Sequence, residues 1–204
     1  CLHGLRDAGI VLADFGGLNS GIHMPDAVFF AHPEHEAHKF GGIGIDPGTA
    51  IMGYGVVDLT HGKMQPVFYG SILTDKDMLP ELRLKKIYDE LCELIEHFHL
   101  DYMSIEKLYF NHNQTTAIPV AQARGVALLA AANHGLPVLE FTPMQIKMSV
   151  VGTGSATKEQ VIFMVRNLLN IKEKIKPDDT ADALAAAICG LNTAMTRSWQ
   201  EGAR

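Results

Sequence analysis

Three strand-like segments follow one another closely between residues 42 and 73 and restrict the folds open to this chain. Residues 42–46, 52–59 and 64–73 are rich in small, β-branched and aromatic residues, and only short turns separate them. Strands joined by such short turns pair as an antiparallel meander. Pro66 has no N–H to give to a neighbouring strand, so we expect it at the beginning of the third strand or at a sheet edge.

Helix-like and strand-like segments alternate after the meander. The segment 79–98 carries its apolar residues at the spacing of one helix face. Further strands are predicted at 101–106 and 137–141, and further helices at 115–134, 142–150, 157–169 and 178–194. This order predicts an α/β domain with a mixed five-stranded sheet, made of the three-strand antiparallel meander and two further strands, with helices on both faces.

The two ends of the chain differ from this central part. We expect a domain at 41–196, a poorly ordered or non-native extension at 1–40 and a tail at 197–204. Three histidines of the extension recur at every third position: His32, His35 and His38. A solvated polar tail is favoured there over a metal site, because no apolar pattern supports an ordered helix.

Charge and apolar content limit whether the chain can bind nucleic acid or a membrane. The chain of 204 residues has a formal net charge of −6, and its first 40 residues carry more acidic than basic groups. A phosphate-rich partner therefore needs a local basic surface. The longest apolar runs, such as Ala183–Leu191, are much shorter than the ~20 residues that span a bilayer, so we expect no membrane contact. Three cysteines without a CxxC pair indicate a reduced, cytoplasmic setting.

Four carboxylates are predicted at the edge of the sheet where α/β proteins bind their ligands. Asp46 and Glu106 end the first and fourth predicted strands, and open α/β sheets bind ligands at the carboxyl ends of strands. Asp179 and Asp182 are three residues apart at the start of the last helix and therefore share a face. An alanine-rich stripe on that helix would let it pack closely on the sheet and bring its acids to the same crevice.

Each of these acids, taken alone, has an ordinary explanation. An Asp before Pro-Gly opens a turn, a Glu often ends a strand, and acids in a first helical turn interact favourably with the helix dipole. Four carboxylates in one pocket, however, repel one another, and hard divalent cations relieve that repulsion. The joint pattern predicts a site for two Mg²⁺ ions, with Mn²⁺ as an alternative, that acts on a phosphodiester.

Other residues are candidates for nucleic-acid contact. Three small residues of the loop "GTGSATK" would allow close approach to a phosphate: Gly152, Gly154 and Ser155. A loop of this composition is a simple turn as often as it is a phosphate-binding loop. Tyr109 or Phe110 could stack on an unpaired base, although an aromatic residue after a strand more often belongs to the core or its rim.

Four blocks of the sequence, in order, resemble the RuvC-type Holliday junction resolvases. They are "GIGIDPGTAIMGYGVV" (42–57), "DYMSIEKLYF" (101–110), the long block 121–161 that contains "QARG" and "GTGSATK", and "DDTADALAAAI" (178–188). The resemblance covers about residues 41–190. The first block is weak by itself, because several phosphate enzymes share a strand and turn of this type; the full set is specific.

The resemblance implies a ribonuclease-H-like homodimer that uses Mg²⁺ to nick two strands of a four-way DNA junction symmetrically, in recombination and repair, alongside a branch-migration helicase. Matched by motif, the catalytic and metal-binding acids are Asp46, Glu106, Asp179 and Asp182. Some relatives have a histidine in place of Asp179, and the D-x-x-D-A-L pattern favours Asp179 over its neighbour Asp178.

The same resemblance assigns contacts outside the four acids. Tyr109, or Phe110 beside it, matches an aromatic residue that wedges into the junction. Lys147 and Lys158 match lysines that contact phosphate. Three further residues fall where the family forms its dimer interface: Gln122, Arg124 and Gly125.

Three alternative functions share features with a junction resolvase. A sugar-kinase or actin-like ATPase also has a "GIDPGT"-like phosphate loop, but it needs a second such domain, which this chain is too short to supply. A junction-binding module without catalysis would not need the four acids. A related nuclease acting on RNA has the same fold, and the "QARG" and "GTGSATK" blocks favour the DNA resolvase over it.

Overall fold

The computed structural model of the chain describes residues 28–29, 40–108 and 114–202. Its strands are β1 (Val28–Phe29), β2 (Gly41–Asp46), β3 (Ile51–Thr60), β4 (Lys63–Leu73), β5 (Tyr102–Glu106) and β6 (Val138–Phe141). Its helices are α1 (Pro80–Phe98), α2 (Gln114–Asn133), α3 (Pro143–Val151), α4 (Lys158–Leu168) and α5 (Asp178–Gly202).

The strands form a mixed sheet in the order β1-β4-β3-β2-β5-β6. β2, β3 and β4 are the predicted antiparallel meander. β5 lies parallel to β2, and β6 lies parallel to β5. The prediction of a mixed five-stranded α/β sheet is therefore confirmed, and the two-residue β1 is added at its edge by pairing with β4.

The structure adds detail at the sheet edge and at the end of the chain. β1 lies within the segment 1–40 and pairs with β4, whose edge would otherwise leave backbone groups unpaired. Pro66 is the fourth residue of β4, near the beginning of this strand as predicted, and lies beside a register shift in the β3–β4 ladder, where its missing N–H is tolerated. The last helix, predicted to end at 194, continues through Gly202, because no Pro follows 194 and the next Gly is Gly202 itself.

Helices cover both faces of the sheet, as predicted. On one face, apolar residues of the central strands such as Ile43 and Ile45 pack with α1 and α2. On the other face, α3, α4 and α5 form a second core with residues such as Val57 and Phe141. Since side chains alternate along a strand, β3, β4, β5 and β6 each contribute to both cores.

Glycines in β2 and β3 let α5 lie directly on the sheet. A Cβ on Gly44 would overlap the backbone of Ala183 and Ala187, and a Cβ on Gly53 would overlap the backbone of Asp179. The helix therefore rests on the strands through backbone atoms, with no intervening side chain. This close contact positions the first turn of α5 at the end of the sheet where β2 and β5 finish.

Candidate active site

Strand alternation places the two strand-end acids on the α5 face of the sheet. Gly44 contacts α5, so Asp46, two residues further along β2, points to the same side. On β5, Ser104 lies against Gly190 of α5, and Glu106 follows it at the same two-residue interval. The odd-numbered neighbours in both strands point instead into the core with α1 and α2.

The first turn of α5 is fixed to the sheet by a threonine. Thr180 is 1% exposed, and its hydroxyl donates a hydrogen bond of 3.1 Å to the backbone carbonyl of Gly70 in β4. Asp179 and Asp182 lie on either side of this anchor along the helix, and the backbone of Asp179 lies against Gly53. The two helix acids therefore have a rigid support. The sequence pattern did not single out Thr180.

The electrostatics of Asp46 show that the four acids face one another. Burial, followed by the charges of Asp182, Asp179 and Glu106, raises the pKa of Asp46 from 3.8 to about 7, while Lys158 opposes the shift. Each predicted partner therefore contributes to the potential at Asp46. A carboxylate in this state takes up a proton or a cation readily near neutral pH.

Glu106 and Asp182 are shifted in the same direction. Burial and then the charge of Asp182 raise the pKa of Glu106, and Lys147 partly offsets this. Burial also raises the pKa of Asp182, against the hydrogen bond and the charge of Lys158. The site thus concentrates negative charge in a partly desolvated place, with two lysines as the nearest compensating charges.

Acids and lysines line a common pocket. A cavity of about 240 Å³ is lined by Glu106, Lys147, Lys158 and Asp182, together with Pro143, Ile146, Val161 and Ala185. Lys158 Nζ lies 3.0 Å from Asp182 Oδ2 and 3.6 Å from Asp178 Oδ2. Both predicted phosphate-contacting lysines are therefore brought to the acids, from the helices α3 and α4.

The loop between α3 and α4 has local roles of its own. Gly152 ends α3 in the left-handed conformation, with φ 84°, and its N–H donates to the Met148 carbonyl at 3.0 Å. Gly154 packs closely against Met144. The Ser155 hydroxyl lies 3.0 Å from that of Thr153. The N–H of Gly152 is thus already used, and a phosphate-binding role for this loop stays a prediction.

Two of the predicted DNA contacts cannot be placed. Tyr109 and Phe110 lie outside the described residues, which stop at residue 108 and resume at 114. The three histidines at positions 32–38 also lie outside the described part of the chain. The wedge role of either aromatic residue stays a prediction.

Arg124, one of the residues that match the family's dimer interface, also has two partners within the chain. Its Nε donates to the backbone carbonyl of Glu106 at 3.3 Å, and its Nη2 pairs with the carboxylate of Glu140 on β6. Gln122 and Gly125, by contrast, are exposed, and nothing lies within 4 Å of a Cβ built on Gly125. The "QARG" pattern gave no sign that its arginine would pair within the chain.

The donor set of the site suits a hard divalent cation. All four acids offer carboxylate oxygens, mounted on two strand ends and one helix, which is the ligand chemistry that Mg²⁺ and Mn²⁺ prefer. In the part of the chain that the structure describes, no three acidic, His or Cys side chains already stand in a ligating cluster. Lys158 instead supplies positive charge at Asp182. A cation would therefore compete with this lysine.

Fold and site together define a nuclease of the ribonuclease-H-like class: a mixed sheet whose central strands end on acids, facing acids of a helix packed on one side. The model of the crossover junction endodeoxyribonuclease RuvC family matches residues 43–190. The chain belongs to this family, as its sequence motifs predicted. Among the described residues, no helix has the length and apolar character needed to cross a membrane.

Relatives with curated names agree with this assignment. The chain is 50% identical over 147 residues to the crossover junction endodeoxyribonuclease RuvC of Desulforamulus reducens, covering 72% of this chain and 90% of that protein. It is 53% identical over 146 residues to the protein of the same name from Brevibacillus brevis, covering 72% and 88%. The match therefore spans nearly the whole length of these relatives.

Solved structures share the fold. Thermus thermophilus RuvC superimposes with a TM-score of 0.72 at 32% identity, over 77% of this chain and 96% of that one. The same protein in complex with a Holliday junction substrate gives 0.72 at 33% identity, over 76% and 94%. The yeast mitochondrial Holliday junction resolvase Ydc2, at 15% identity with a TM-score of 0.52, shares the fold alone. The non-catalytic and ATPase alternatives receive no support from these similarities.

Proposed function

We propose that this chain resolves four-way DNA junctions by paired, symmetric nicks during homologous recombination and DNA repair. The observation that carries the proposal is the arrangement of the four acids: Asp46 and Glu106 end neighbouring parallel strands, and Asp179 and Asp182 lie at the start of the helix packed on them. In keeping with this, burial and the charges of Asp182, Asp179 and Glu106 raise the pKa of Asp46 to about 7. Four carboxylates that interact in this way, with lysines beside them, suit the hydrolysis of a phosphodiester.

The proposed chemistry divides between the acids and the lysines. Asp46, Glu106, Asp179 and Asp182 would hold divalent cations, two Mg²⁺ in the cell, with Mn²⁺ as a substitute. Such ions, when bound, supply the positive charge that activates water and stabilises the leaving oxygen. Lys147 and Lys158 line the same pocket and would bind the phosphates that flank the cut.

We propose a homodimer that joins two such sites through α2. Ile118 and Leu129 of this helix are 65% and 53% exposed, and Gln122 and Gly125 lie between them on the same stripe. The open space around Gly125 would let a second helix approach closely. Two acid sites facing one junction would account for paired nicks. Association with a branch-migration helicase and a cytoplasmic location belong to the same proposal.

One experiment tests the central claim. The purified protein, incubated with a mobile four-way DNA junction and Mg²⁺, should yield nicked duplexes that DNA ligase can seal. Asp46→Asn should bind the junction and leave it uncut. Cutting of a linear duplex at the same rate as the junction would overturn the proposed junction specificity. Preferential cutting of an RNA duplex would favour the RNA-nuclease alternative. Normal cutting by Asp46→Asn would overturn the assignment of Asp46 as a catalytic residue.

A further inference from the structure

Arg124 reaches the catalytic end of the sheet from the face opposite to the acids. It lies on α2, and its side chain is 16% exposed, whereas the acids face α5 on the other side of the sheet. Its guanidinium has two partners within the chain, the carbonyl of Glu106 and the carboxylate of Glu140. It therefore touches the backbone of a proposed catalytic residue without entering the acid cluster.

The carbonyl that Arg124 holds is at the very end of the sheet. The β2–β5 ladder finishes at the pair Ile45 and Ile105, and the β5–β6 ladder finishes at Glu106 and Phe141. On the β2 side, the chain turns away after Asp46 at Pro47, which has no N–H to offer. The N–H of the last peptide group of β5, from Lys107, donates to the Phe141 carbonyl at 2.7 Å. The carbonyl of the same peptide group, from Glu106, accepts the hydrogen bond from Arg124.

Glu140 gives the guanidinium a second fixed point. Leu139 and Phe141 pack on the α5 side of the sheet, so Glu140 between them faces α2, where Arg124 meets it. An arginine fork is planar and presents several N–H groups in a fixed geometry, so two simultaneous partners orient it firmly. Through Arg124, the ends of β5 and β6 are joined to each other and to α2.

We infer that Arg124 is a positioning residue, which holds the last peptide of β5 so that the carboxylate of Glu106 points correctly into the acid cluster. This inference rests on the proposed function of that cluster. A side chain at a strand end turns with its own peptide plane, and metal-dependent hydrolysis is sensitive to such rotations because displacements of about 1 Å can cost two orders of magnitude in rate. Arg124 would act on rate and cation binding while leaving DNA binding unchanged.

The test compares Arg124→Met with Arg166→Met. Arg166 is a matched control, because its guanidinium also donates a hydrogen bond to a backbone carbonyl within the chain, that of Lys172, toward the end of α4 opposite to Lys158. We expect Arg124→Met to cut saturating junction about tenfold or more slowly in single turnover. We also expect it to bind Mn²⁺ several-fold more weakly, measured by electron paramagnetic resonance without DNA. Junction affinity without added metal should stay at the wild-type value.

Glu140→Gln separates the two contacts of Arg124. It removes the charge partner but keeps the hydrogen bond to the Glu106 carbonyl, so we expect a smaller loss of rate than in Arg124→Met. Arg166→Met should lower the melting temperature without changing the Mn²⁺ affinity. The Mn²⁺ measurement stands even if wild-type protein fails to cut junctions, so failure of the inference differs from failure of the proposed function.

Two results would overturn the inference. The first is an Arg124→Met protein that melts at a lower temperature, like Arg166→Met, but retains the wild-type single-turnover rate and Mn²⁺ affinity; the role of Arg124 would then be stability alone. The second is an Arg124→Met protein that dissociates into monomers, with its rate restored at high protein concentration. That result would mean that Arg124 stabilises the dimer and does not position Glu106.

Discussion

The ammonium group of Lys158 lies 3.0 Å from the carboxylate of Asp182, at the mouth of the pocket that both residues line. The lysine is the first residue of α4, and the aspartate is the fifth residue of α5. A proposed phosphate-binding group and a proposed cation-binding group are therefore paired with each other. A phosphate or a cation that binds in this site must therefore separate Lys158 from Asp182.

Removing Lys158 should shift the pH dependence of cleavage. The charge of Lys158 lowers the pKa of both Asp46 and Asp182. In Lys158→Met both pKa values rise, so a higher pH is needed to ionise the acids. We expect the acid limb of single-turnover cleavage to move upward by about half a pH unit or more. The position of the limb, rather than the absolute rate, is the measurement.

Lys174→Met is the matched control for this experiment. Lys174 is exposed in the segment between α4 and α5, outside the pocket. Its loss removes the same charge from the protein and should leave the acid limb where it is. An unmoved limb in Lys158→Met, or an equal shift in both variants, would contradict the role of the Lys158–Asp182 pair.

Replacing Asp46 with Asn should stabilise the cation-free protein above neutral pH. The folded-state pKa of Asp46 is raised from 3.8 to about 7, so the folded protein binds the extra proton between these values and loses stability as the pH rises through them. Asn cannot ionise and avoids that loss. In EDTA at pH 8 we expect a gain of about 1–2 kcal/mol in the free energy of unfolding, because solvent screens part of the repulsion.

Asp77→Asn provides the comparison for that gain. Asp77 is an exposed aspartate in the turn before α1, and it is not among the charges that raise the pKa of Asp46. Its replacement should change the free energy of unfolding by less than about 0.5 kcal/mol. If urea denaturation in EDTA gives Asp46→Asn no advantage over Asp77→Asn at pH 8, or the advantage does not shrink toward pH 4, the repulsion among the acids has been misjudged.

Adding a methyl group at Gly44 should damage both stability and cleavage. The Cβ of Gly44→Ala would overlap the backbone of α5 at Ala183, so the helix must move away from the sheet. We expect a loss of about 3 kcal/mol in the free energy of unfolding. Gly125→Ala, where the Cβ meets open space, should be neutral or stabilising by up to about 1 kcal/mol. Urea denaturation at low protein concentration compares the two, and equal losses would refute the close contact.

A charge on the exposed stripe of α2 should break the proposed dimer. Leu129 on α2 and Phe163 on α4 are both more than half exposed, on opposite sides of the sheet. We expect Leu129→Glu to sediment as a folded monomer and Phe163→Glu to remain dimeric. The dimer surface would have to be sought elsewhere if sedimentation showed the reverse.

The strands and their terminal acids could be predicted because strand period and turn chemistry are local properties. Asp46 before Pro47 and Glu106 at the end of an apolar run are visible in a few residues of sequence. Helix α1 was equally clear from its amphipathic period. Element ends were less certain: α5 continues to Gly202, since its stop signal comes later than the apolar pattern.

The contacts that fix the site could not be predicted, because each joins residues far apart in the chain. The hydrogen bond from Thr180 to the Gly70 carbonyl spans 110 positions, and Arg124 reaches Glu140 on a strand that follows its own helix. Nothing in the local composition around Thr180 or Arg124 distinguishes them from ordinary helix residues. Only the packing of α5 and α2 on opposite faces reveals their partners.

The glycines beneath α5 have a consequence for how variants of this protein are judged. The separation between the strand acids and the helix acids is determined at Gly44 and Gly53, which carry no functional group. A naturally occurring allele could therefore keep every acid and lysine of the site and still be inactive. An inspection limited to the acids and lysines of the site would classify such an allele as active. Genetic surveys of this protein should score the bare backbone positions as strictly as the charged ones.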